Sequence, residues 1–358
     1  MDPVRIALDV GPLHRHRTGV GAAVAELAAA LGAHDSVTVR PYVLSFRSRP
    51  APPTRRLPLP AALAHRLWSR ADHPGVDRWL GDAEVVHGTN YVVPPSRRPA
   101  LVSVYDCWFL DHRDDASPAV RRAGDVLRRR VRSGATVHAS SQATADRVRD
   151  LLGTDRVEAV HLGPLLVDPP PAGAPVDLDG RPFVLALGTV ERRKNLPALV
   201  RAFATVAAEG ARLVIAGAPG DDSAAVDVAV DALAPAARAT ITRLGPVDTT
   251  TKAWLLHHAR VLAYPSLDEG FGFPLLEAQS IGLPIVASRA GSIPEVAGEG
   301  AELVPLGDTD ALAGALTRTL VDDERRAELV TAGRANVARF SWTATADALV
   351  DVYRRLRS

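Results

Sequence analysis

The stretch DEGFGFPLLE, residues 268–277, decides how the second half of this chain folds. It holds two glutamates, Glu269 and Glu277, eight positions apart, with two glycines, two phenylalanines and a proline between them. A strand-like apolar run ends just before it, Pro274 suits the first turn of a helix, and Gly282 suits the end of that helix. The stretch therefore predicts a strand, a glycine-rich loop and a helix, with Glu269 on the loop and Glu277 one turn into the helix.

Backbone freedom on the loop and free N–H groups at the helix start favour a bound anion. The glycines let the backbone approach a ligand closely, and the N–H groups of Leu275 and Leu276 would form an anion site. A nucleotide-sugar diphosphate, with phosphates in its middle and hydroxyl groups at both ends, fits one anion site between two carboxylates. The alternative, a helix stabilised by acids near its start, explains Glu277 but not the Gly-Phe-Gly-Phe loop.

A second segment with an unusual charge lies at the start of another predicted helix. The predicted strand Phe183–Leu187 is followed by Gly188 and Thr189, and the basic run Arg192–Lys194 comes just before the helix. Cations at a helix N-terminus destabilise the helix, and a bound diphosphate would supply a reason for three of them. A solvated basic loop is the alternative interpretation.

The rarity of lysine in this chain singles out Lys194. Among 42 basic residues only Lys194 and Lys252 are lysine, and Asn195 is one of three asparagines. The excess of arginine and alanine suggests a GC-rich genome, in which lysine persists where a compact, rotatable ammonium is needed. The Lys194-Asn195 pair is therefore predicted to be functional, whereas no motif surrounds Lys252. The alternative is that two lysines fall somewhere by chance.

Short strand-like runs alternate with helical patterns along nearly the whole chain, which predicts α/β domains with parallel sheets. The first series of predicted strands is Arg5–Val10, Val37–Leu44, Glu84–His87, Leu101–Tyr105, Thr136–Ala139 and Val157–His161. The second series is Phe183–Leu187, Arg212–Ala216, Thr240–Leu244, Val261–Tyr264, Pro284–Ala287 and Ala301–Val304. The clearest predicted helices are Val20–Leu31, Leu196–Ala208, Asp310–Leu320, Asp323–Phe340 and Trp342–Leu356, the last with Ser341 as its N-cap.

The segment between the two series, residues 163–182, is rich in proline, glycine and aspartate and has no periodicity, so it is predicted to be a linker. Two doubly wound, Rossmann-like domains follow, 1–165 and 166–341. Such sheets bind ligands outside the carboxyl ends of their strands, and we expect the two sheets to face one cleft.

Composition and missing motifs exclude several classes of protein. The net charge of +1 gives no reason to expect nucleic acid as a partner, and no apolar run reaches the roughly 20 residues needed to span a bilayer. The single cysteine, Cys107, excludes an intrachain disulfide framework and a Cys-rich metal site. There is no P-loop and no H-E-x-x-H, and Val24 replaces the third glycine of a dinucleotide fingerprint. The chain begins on a strand-like run without a leader pattern, so a cytoplasmic enzyme is expected.

Five stretches together resemble one enzyme family. They are the E-x₇-E spacing, GTVERRKNLPALVRAF at 188–203, SIPEVAGEGAELVPLGDTDALAGAL at 292–316, RTGVG at 17–21 and HGTNYVVPP at 87–95. They resemble glycosyltransferase family 4, retaining enzymes of the GT-B fold, in a bacterial mannosyltransferase-like branch. The resemblance runs from Arg5 to about Arg355, almost the whole chain.

The resemblance implies a role for each residue of the second domain that matches a motif. Glu277 would accept the ribose hydroxyls, and Glu269 would hold the donor sugar beside its anomeric carbon. Arg193 and Lys194 would bind the diphosphate and stabilise the leaving group without a metal. The other implied donor-binding residues are Gly188, Thr189, Val247 (beside the base), Gly270, Phe271, Gly272, Phe273 and Leu275.

In the first domain the resemblance assigns fewer residues. Gly19 and Gly21 would approach the phosphate and the sugar, and the last helix, 342–358, would pack back on this domain. The family histidine that contacts the donor sugar is replaced by Tyr105. Asp106 is then the candidate polar partner for the acceptor. The arginine that often follows the first glycine of the second domain is Thr189 here.

The activity implied is that of a metal-independent hexosyltransferase with a nucleotide-sugar donor and no cofactor. GDP-mannose is the leading donor, with UDP-glucose and UDP-N-acetylglucosamine as alternatives, and the acceptor would be a glycan, a lipid-linked sugar or a small molecule. A catalytically weak sugar-nucleotide-binding protein is the rival interpretation, motivated by Tyr105. A third is another GT-B enzyme such as an epimerase or a phosphorylase.

Two basic segments bear on the acceptor and on location. Residues 47–70 are rich in proline and arginine and contain Trp68, and Arg121–Arg132 carries seven charges, six of them basic. Either segment could lie against the inner face of an anionic membrane or an anionic lipid-linked acceptor. A solvated helix face is the alternative interpretation of the second segment.

Overall fold

A computed structural model of the protein describes residues 2–14, 19–47 and 49–358. The chain forms two compact units, 1–163 together with 340–358, and 164–339. Each unit contains one parallel β-sheet flanked by helices, so the predicted α/β class with two doubly wound sheets is confirmed. Residues 163–182, predicted to be a linker, contain no helix or strand.

The sheet of unit 1 has seven strands in the order β3-β2-β1-β4-β5-β6-β7. Their bounds are β1 Val4–Asp9, β2 Val37–Leu44, β3 Arg55–Leu57, β4 Val85–Gly88, β5 Ala100–Val104, β6 Thr136–Ala139 and β7 Val157–Ala159. Strand β1 pairs in parallel with both β2 and β4, so the strand order reverses beside it. A crevice at such a reversal, outside the carboxyl ends of the strands, is where doubly wound sheets bind ligands.

The helices of unit 1 pack on both faces of this sheet. They are α1 Gly19–Gly32, α2 Ala61–Trp68, α3 Trp108–Asp111, α4 Pro118–Arg132, α5 Gln142–Leu152 and the last helix of the chain, α14 Trp342–Arg357. The Ser341 hydroxyl accepts the N–H of Ala344 at 3.1 Å, which confirms the predicted N-cap of α14. Leu349 and Val350 of α14 pack with Ile6 of β1, so the C-terminal helix belongs to the core of unit 1.

The sheet of unit 2 has six strands in the order β10-β9-β8-β11-β12-β13. Their bounds are β8 Phe183–Leu187, β9 Arg212–Ala216, β10 Ile241–Gly245, β11 Val261–Tyr264, β12 Ile285–Ser288 and β13 Glu302–Val304. The helices are α6 Leu196–Val206, α7 Ser223–Asp231, α8 Pro235–Arg238, α9 Thr249–His258, α10 Phe273–Ile281, α11 Ile293–Ala297, α12 Thr309–Val321 and α13 Asp323–Val337. The fully buried strands Val261–Tyr264 and Ile285–Ser288 lie inside the sheet with a strand on each side, as expected for parallel strands covered on both faces.

Three features of the structure correct the sequence predictions. Strand β3 lies in a segment with no predicted strand, because only Leu57 of its three residues is buried and the edge position supplies no alternation pattern. The helix predicted to run from Asp323 to Phe340 ends at Val337. Helix α1 begins at Gly19, one residue before the predicted start at Val20, and includes both motif glycines, Gly19 and Gly21, while positions 17 and 18 of that motif lie outside the described residues.

Helix α4, which carries the six basic residues of 121–132, uses several of them within unit 1. Arg130 is 5% exposed and binds Asp72 at 2.6 Å. Arg128 donates to the carbonyl of Leu151 at 3.1 Å, and Arg121 donates to the carbonyl of Ala116 at 2.5 Å. These contacts favour a structural role for much of the charge of this helix. Within the described part of the chain, no helix has both the length and the apolar character that crossing a bilayer requires.

A buried chain of polar side chains links three strands of unit 1 to α14. The His87 ring shares hydrogen bonds with the Tyr353 hydroxyl (2.7 Å) and the Ser103 hydroxyl (2.8 Å). Ser103 also lies 2.9 Å from Nδ1 of His138, whose Nε2 reaches the carbonyl of Val160 at 3.1 Å. Burial lowers the pKa of His138 to about 4. Burial, together with the neighbouring His138, also lowers the pKa of His87 well below its ordinary value.

Acid is expected to destabilise unit 1 through these histidines. The folded pKa of His138 lies below its ordinary value of 6.5, so the unfolded chain takes up the proton first as the pH falls. The free energy of unfolding is therefore unaffected by protonation of His138 above about pH 6.5. It falls as the pH drops from 6.5 toward 4, by about 3 kcal/mol for His138 alone. The measurement is the free energy of unfolding in urea for the wild type and for His138→Gln at several pH values between 7 and 4.5, with peptide-resolved hydrogen exchange used to observe unit 1. If the free energy of unfolding fell equally steeply with pH in both proteins, His138 would not be the group responsible.

Candidate active site

Two loops of unit 2 meet because their strands are neighbours in the sheet. Strands β8 and β11 pair in parallel, so the chain leaves both at the same edge. The first loop leads through Gly188 and Thr189 to a 3₁₀ turn, Arg192–Lys194, and the second leads through residues 265–272 to α10. The Leu267 N–H donates to the Arg193 carbonyl at 2.6 Å, which joins the two loops directly.

Glu269 lies at the centre of this junction and is 6% exposed. Its carboxylate accepts hydrogen bonds from Nη1 of Arg193 at 2.6 Å, Nζ of Lys194 at 2.5 Å and the Ser266 hydroxyl at 2.8 Å. Nζ of Lys194 also donates to the Tyr264 hydroxyl at 3.0 Å. The structure thus brings together three residues that the sequence placed in one site from positions about 75 apart, and it adds Ser266 and Tyr264.

The electrostatics of this cluster keep Glu269 ionised beside its cationic partners. Burial alone would raise the pKa of Glu269, but Lys194 and Arg193 outweigh it and lower that pKa to about 2. Burial lowers the pKa of Lys194 from its ordinary 10.5, and the Glu269 carboxylate offsets part of that effect. Arg193 also binds Glu191 through Nε at 2.8 Å, so two cations and two carboxylates lie together at the carboxyl end of the sheet. A polyanionic ligand would compete with these carboxylates for the donors of Arg193 and Lys194.

The Lys-Asn dipeptide has a structural explanation as well as an electrostatic one. Asn195 adopts a left-handed backbone, with φ of 53°, between the 3₁₀ turn and α6, a conformation that asparagine tolerates better than most residues. Its side-chain amide donates to the Pro265 carbonyl at 3.3 Å on the other loop. Asn195 therefore holds Lys194 in position against the residues that follow β11.

The aromatic residues of the opening stretch anchor its loop. Phe271 is buried, and its ring packs edge-on against Phe273 with 5.2 Å between centroids. Gly272 has a φ of 88° and comes just before α10, a conformation that strains any residue with a side chain. One expectation is wrong: the Leu275 N–H donates to the Gly272 carbonyl at 3.0 Å, so it is not a free anion-binding donor. The tight first turn of the helix uses it.

Glu277 lies in the first turns of α10 and is 2% exposed. Its Oε1 accepts a hydrogen bond from Nζ of Lys252 at 2.6 Å, and its Oε2 is buried without a partner. An unpaired buried carboxylate oxygen is costly, so this atom is a site where a ligand hydroxyl would be stabilised. Lys252 on α9 is the residue that the sequence analysis missed. The rarity of lysine in the sequence could have pointed to Lys252. Both lysines of the chain bind a glutamate of the E-x₇-E motif.

The remaining predicted donor-binding residues lie along the carboxyl edge of the same sheet. Gly188 and Thr189 follow β8, Val247 follows β10, and Gly270 follows β11. Gly188 has a φ of 131°, and a side-chain carbon there would lie 3.6 Å from Cε of Lys194. Among the described residues, no group of three or more His, Cys, Asp or Glu is arranged to hold a metal ion.

Tyr105 and Asp106, two of the predicted residues of unit 1, directly follow strand β5, whereas Gly19 and Gly21 lie in the first turn of α1. Asp106 follows β5 and accepts hydrogen bonds from the Tyr91 hydroxyl at 3.0 Å and the Trp108 N–H at 3.2 Å. Tyr105 is buried. Burial raises the pKa of Tyr105 above its ordinary range, so this side chain stays neutral.

Comparison with known proteins relates the second unit to a family. Residues 181–322 match the model of the family described as "Glycosyl transferases group 1". The O-antigen chain mannosyltransferase B of Escherichia coli is 33% identical over 178 residues, 49% of this chain and 46% of that protein. The D-inositol 3-phosphate glycosyltransferase of Rhodococcus erythropolis is 30% identical over 262 residues, 69% of this chain and 59% of that protein. The chain thus spans about half the length of these curated relatives.

The likeness to solved structures extends to the whole chain. Sucrose-phosphate synthase of Thermosynechococcus elongatus superposes with a TM-score of 0.72 at 21% identity and covers 99% of both chains. At this identity the likeness concerns the fold. Residues 181–322 therefore match the glycosyl transferases group 1 family, and the two Rossmann-like units have the fold of GT-B glycosyltransferases.

Proposed function

We propose that this protein is a retaining, metal-independent glycosyltransferase that moves a hexosyl residue from a nucleotide-sugar to a glycan, lipid-linked or small-molecule acceptor. The observation that carries the proposal is the pairing of Glu269 with Arg193 and Lys194 beside a second carboxylate, Glu277, that has an unpaired buried oxygen. Cations for a diphosphate and two acceptors for hydroxyl groups are the chemistry that a nucleotide-sugar requires. The match of residues 181–322 to glycosyl transferases group 1 supports the same activity.

Each group of the donor has a counterpart in unit 2. The free Oε2 of Glu277 accepts a ribose hydroxyl, and Val247 lies on the loop proposed to hold the base. Arg193 and Lys194 bind the diphosphate and stabilise its charge as the sugar departs, which is electrostatic stabilisation by fixed cations. Glu269 orients the donor sugar and favours the positive charge that develops at the anomeric carbon.

Retention of configuration follows from the face on which the acceptor attacks the anomeric carbon. The acceptor oxygen forms its bond to the anomeric carbon on the face from which the nucleotide leaves. The bond from that carbon to the β-phosphate oxygen breaks, and the departing phosphate oxygen takes the acceptor proton. No separate general base is needed in this scheme. Asp106, held by Tyr91 and the Trp108 N–H, is the proposed polar partner that orients the acceptor in unit 1.

The sugar proposed first is mannose, carried by GDP. Its support is the likeness to the mannosyltransferase of Escherichia coli, which acts on an O-antigen chain by its name. UDP-glucose and UDP-N-acetylglucosamine are the alternatives. A thermal-shift screen with GDP-, UDP- and dTDP-sugars followed by turnover of every bound donor tests the choice. Stabilisation by none of these donors would overturn the proposed function.

Transfer is expected to continue in excess EDTA. Arg193 and Lys194 supply the positive charge that a divalent cation supplies in other transferases, and no Asp-x-Asp pair lies beside them. The measurement is the initial rate with the best donor, with EDTA and with added manganese. The control is the same assay after dialysis against metal-free buffer. Loss of the rate in EDTA and its return with manganese would contradict metal independence.

The second candidate function is binding of a sugar-nucleotide without efficient transfer. Tyr105 favours it, because a buried and neutral phenol cannot replace a charged histidine. The same turnover assay separates the two functions. A donor that stabilises the protein but is neither transferred nor hydrolysed would identify the binding protein.

A further inference from the structure

Unit 1 contains a pocket that none of the roles above uses. It has a volume of about 320 Å³, within the range of small-molecule sites. Asp9, Tyr42 and Leu57 line it from β1, β2 and β3, and Asn90 lines it just after β4. These residues lie at the carboxyl ends of the strands, where the strand order reverses beside β1, the position at which doubly wound sheets bind ligands.

The Tyr42 hydroxyl is the strongest indication of a missing ligand. Tyr42 is 2% exposed, and its hydroxyl oxygen is buried without a hydrogen-bond partner although the residue lines the pocket. Burial, and to a lesser extent the charge of Asp9, raises the pKa of Tyr42 well above its ordinary value. The phenol is therefore a neutral group that can both donate and accept at physiological pH. A buried hydroxyl left unpaired costs free energy unless a bound molecule supplies its partner.

The other walls of the pocket define the chemistry of that molecule. Trp68 and Leu57 form an apolar side, and the indole N–H of Trp68 is already used by the Pro74 carbonyl at 3.1 Å. Besides Tyr42, the polar residues of the described lining are Asp9, His14, Ser45, His65 and Asn90. None of the described lining residues is lysine or arginine. A ring with apolar C–H faces and several hydroxyl groups matches this lining better than a phosphate or a carboxylate does.

We propose that this pocket binds a neutral polyhydroxylated ring, a sugar or a cyclitol, whose hydroxyl group pairs with the Tyr42 hydroxyl, and that this ring belongs to the acceptor. The assignment to the acceptor rests on the proposed function, whereas the binding of the ring does not. The volume accommodates a single ring, so the pocket selects one residue of a glycan or one small polyol. The inference favours a neutral acceptor ring over a phosphorylated one, because no lysine or arginine lies among the described lining residues.

The test measures how tightly Tyr42→Phe and the wild type bind methyl α-D-mannopyranoside and myo-inositol. Binding is measured by saturation-transfer NMR, with a nucleoside diphosphate present at a saturating concentration. The expected result is an affinity for one of these rings that falls about five- to tenfold in Tyr42→Phe, the effect of one buried hydrogen bond. The affinity for the nucleoside diphosphate should not change. The melting temperature should stay equal or rise, because the removed hydroxyl has no partner in the protein.

Two further variants keep the result interpretable. Tyr353→Phe is the matched control, since its hydroxyl is also buried in unit 1 but is bonded to His87 at 2.7 Å. It should lower the melting temperature and leave ring binding unchanged. Ala61→Phe fills the pocket from α2 and should abolish ring binding.

Three outcomes would overturn the proposal in different ways. Unchanged ring binding in both Tyr42→Phe and Ala61→Phe would show that the pocket is not the site. Tighter binding of D-inositol 3-phosphate than of both neutral rings would contradict the chemical class. In the third outcome, ring binding depends on Tyr42, but the protein neither binds nucleoside diphosphates nor consumes a donor. The pocket would then be confirmed as a ring-binding site, and its role as the acceptor site would be refuted.

Discussion

Glu269→Gln is expected to slow sugar transfer by roughly 10²–10³, the effect of losing one preorganised electrostatic group. The carboxylate is 6% exposed and binds Arg193 and Lys194, so the substitution keeps the shape of the side chain while removing the charge that orients the sugar. Arg193 and Lys194 lose the charge of Glu269, and Arg193 keeps its ion pair with Glu191. We therefore expect the affinity for a nucleoside diphosphate to be unchanged or higher, which separates catalysis from binding. The measurement is the transfer rate at saturating donor.

Ser266→Ala is the matched control for Glu269→Gln. It removes only the 2.8 Å hydrogen bond from the Ser266 hydroxyl to Glu269 and leaves both ion pairs in place. Its effect on the transfer rate should be several times smaller. The anomeric configuration of the product, determined by NMR, tests retention in the same experiment. A Glu269→Gln enzyme within threefold of the wild-type rate, or an inverted product, would refute the mechanism.

Glu277→Gln is expected to weaken the binding of a nucleoside diphosphate by about 1–3 kcal/mol, the scale of a hydrogen bond to a charged group. The substitution neutralises the oxygen that has no partner in the protein and is proposed to accept a ribose hydroxyl. It also removes the partner of Lys252, 2.6 Å away. Isothermal titration with GDP and UDP gives the affinities. The transfer rate at saturating donor should change less than the affinity does.

Lys252→Met separates the two effects of Glu277→Gln. It removes the cation but leaves the carboxylate, so a double-mutant cycle of the two substitutions isolates their interaction. If Lys252 acts by positioning Glu277, the double variant should bind a nucleoside diphosphate about as weakly as Glu277→Gln alone. If a free nucleoside diphosphate bound Glu277→Gln as tightly as it binds the wild type, the proposed contact between Glu277 and the ribose would be refuted.

Much of the fold could be predicted from local patterns. The strands Val37–Leu44, Thr136–Ala139, Phe183–Leu187, Arg212–Ala216 and Val261–Tyr264 were predicted to the residue. The last four are largely buried, and buried parallel strands are short apolar runs bounded by turn residues. Strand β3 could not be predicted. It has only three residues and exists because the edge of β2 is available for pairing, a property of the sheet and not of the segment.

The sequence by itself determined the alternation of strands and helices, and with it the two parallel sheets. It also singled out Glu269, Arg193 and Lys194, because three cations at a helix start and two carboxylates around a glycine loop are locally unfavourable without a ligand. Local conflict of this kind is visible in a one-dimensional pattern.

Only the tertiary structure decided which partners those residues have. Lys252 reaches Glu277 from 25 positions away, and Tyr353 reaches His87 from 266 positions away. Tyr42 is a different case, since its importance is that no partner reaches its hydroxyl. Hydrogen bonds and ion pairs depend on distances of a few ångströms between side chains on different elements, and strand and helix periodicity does not encode those distances.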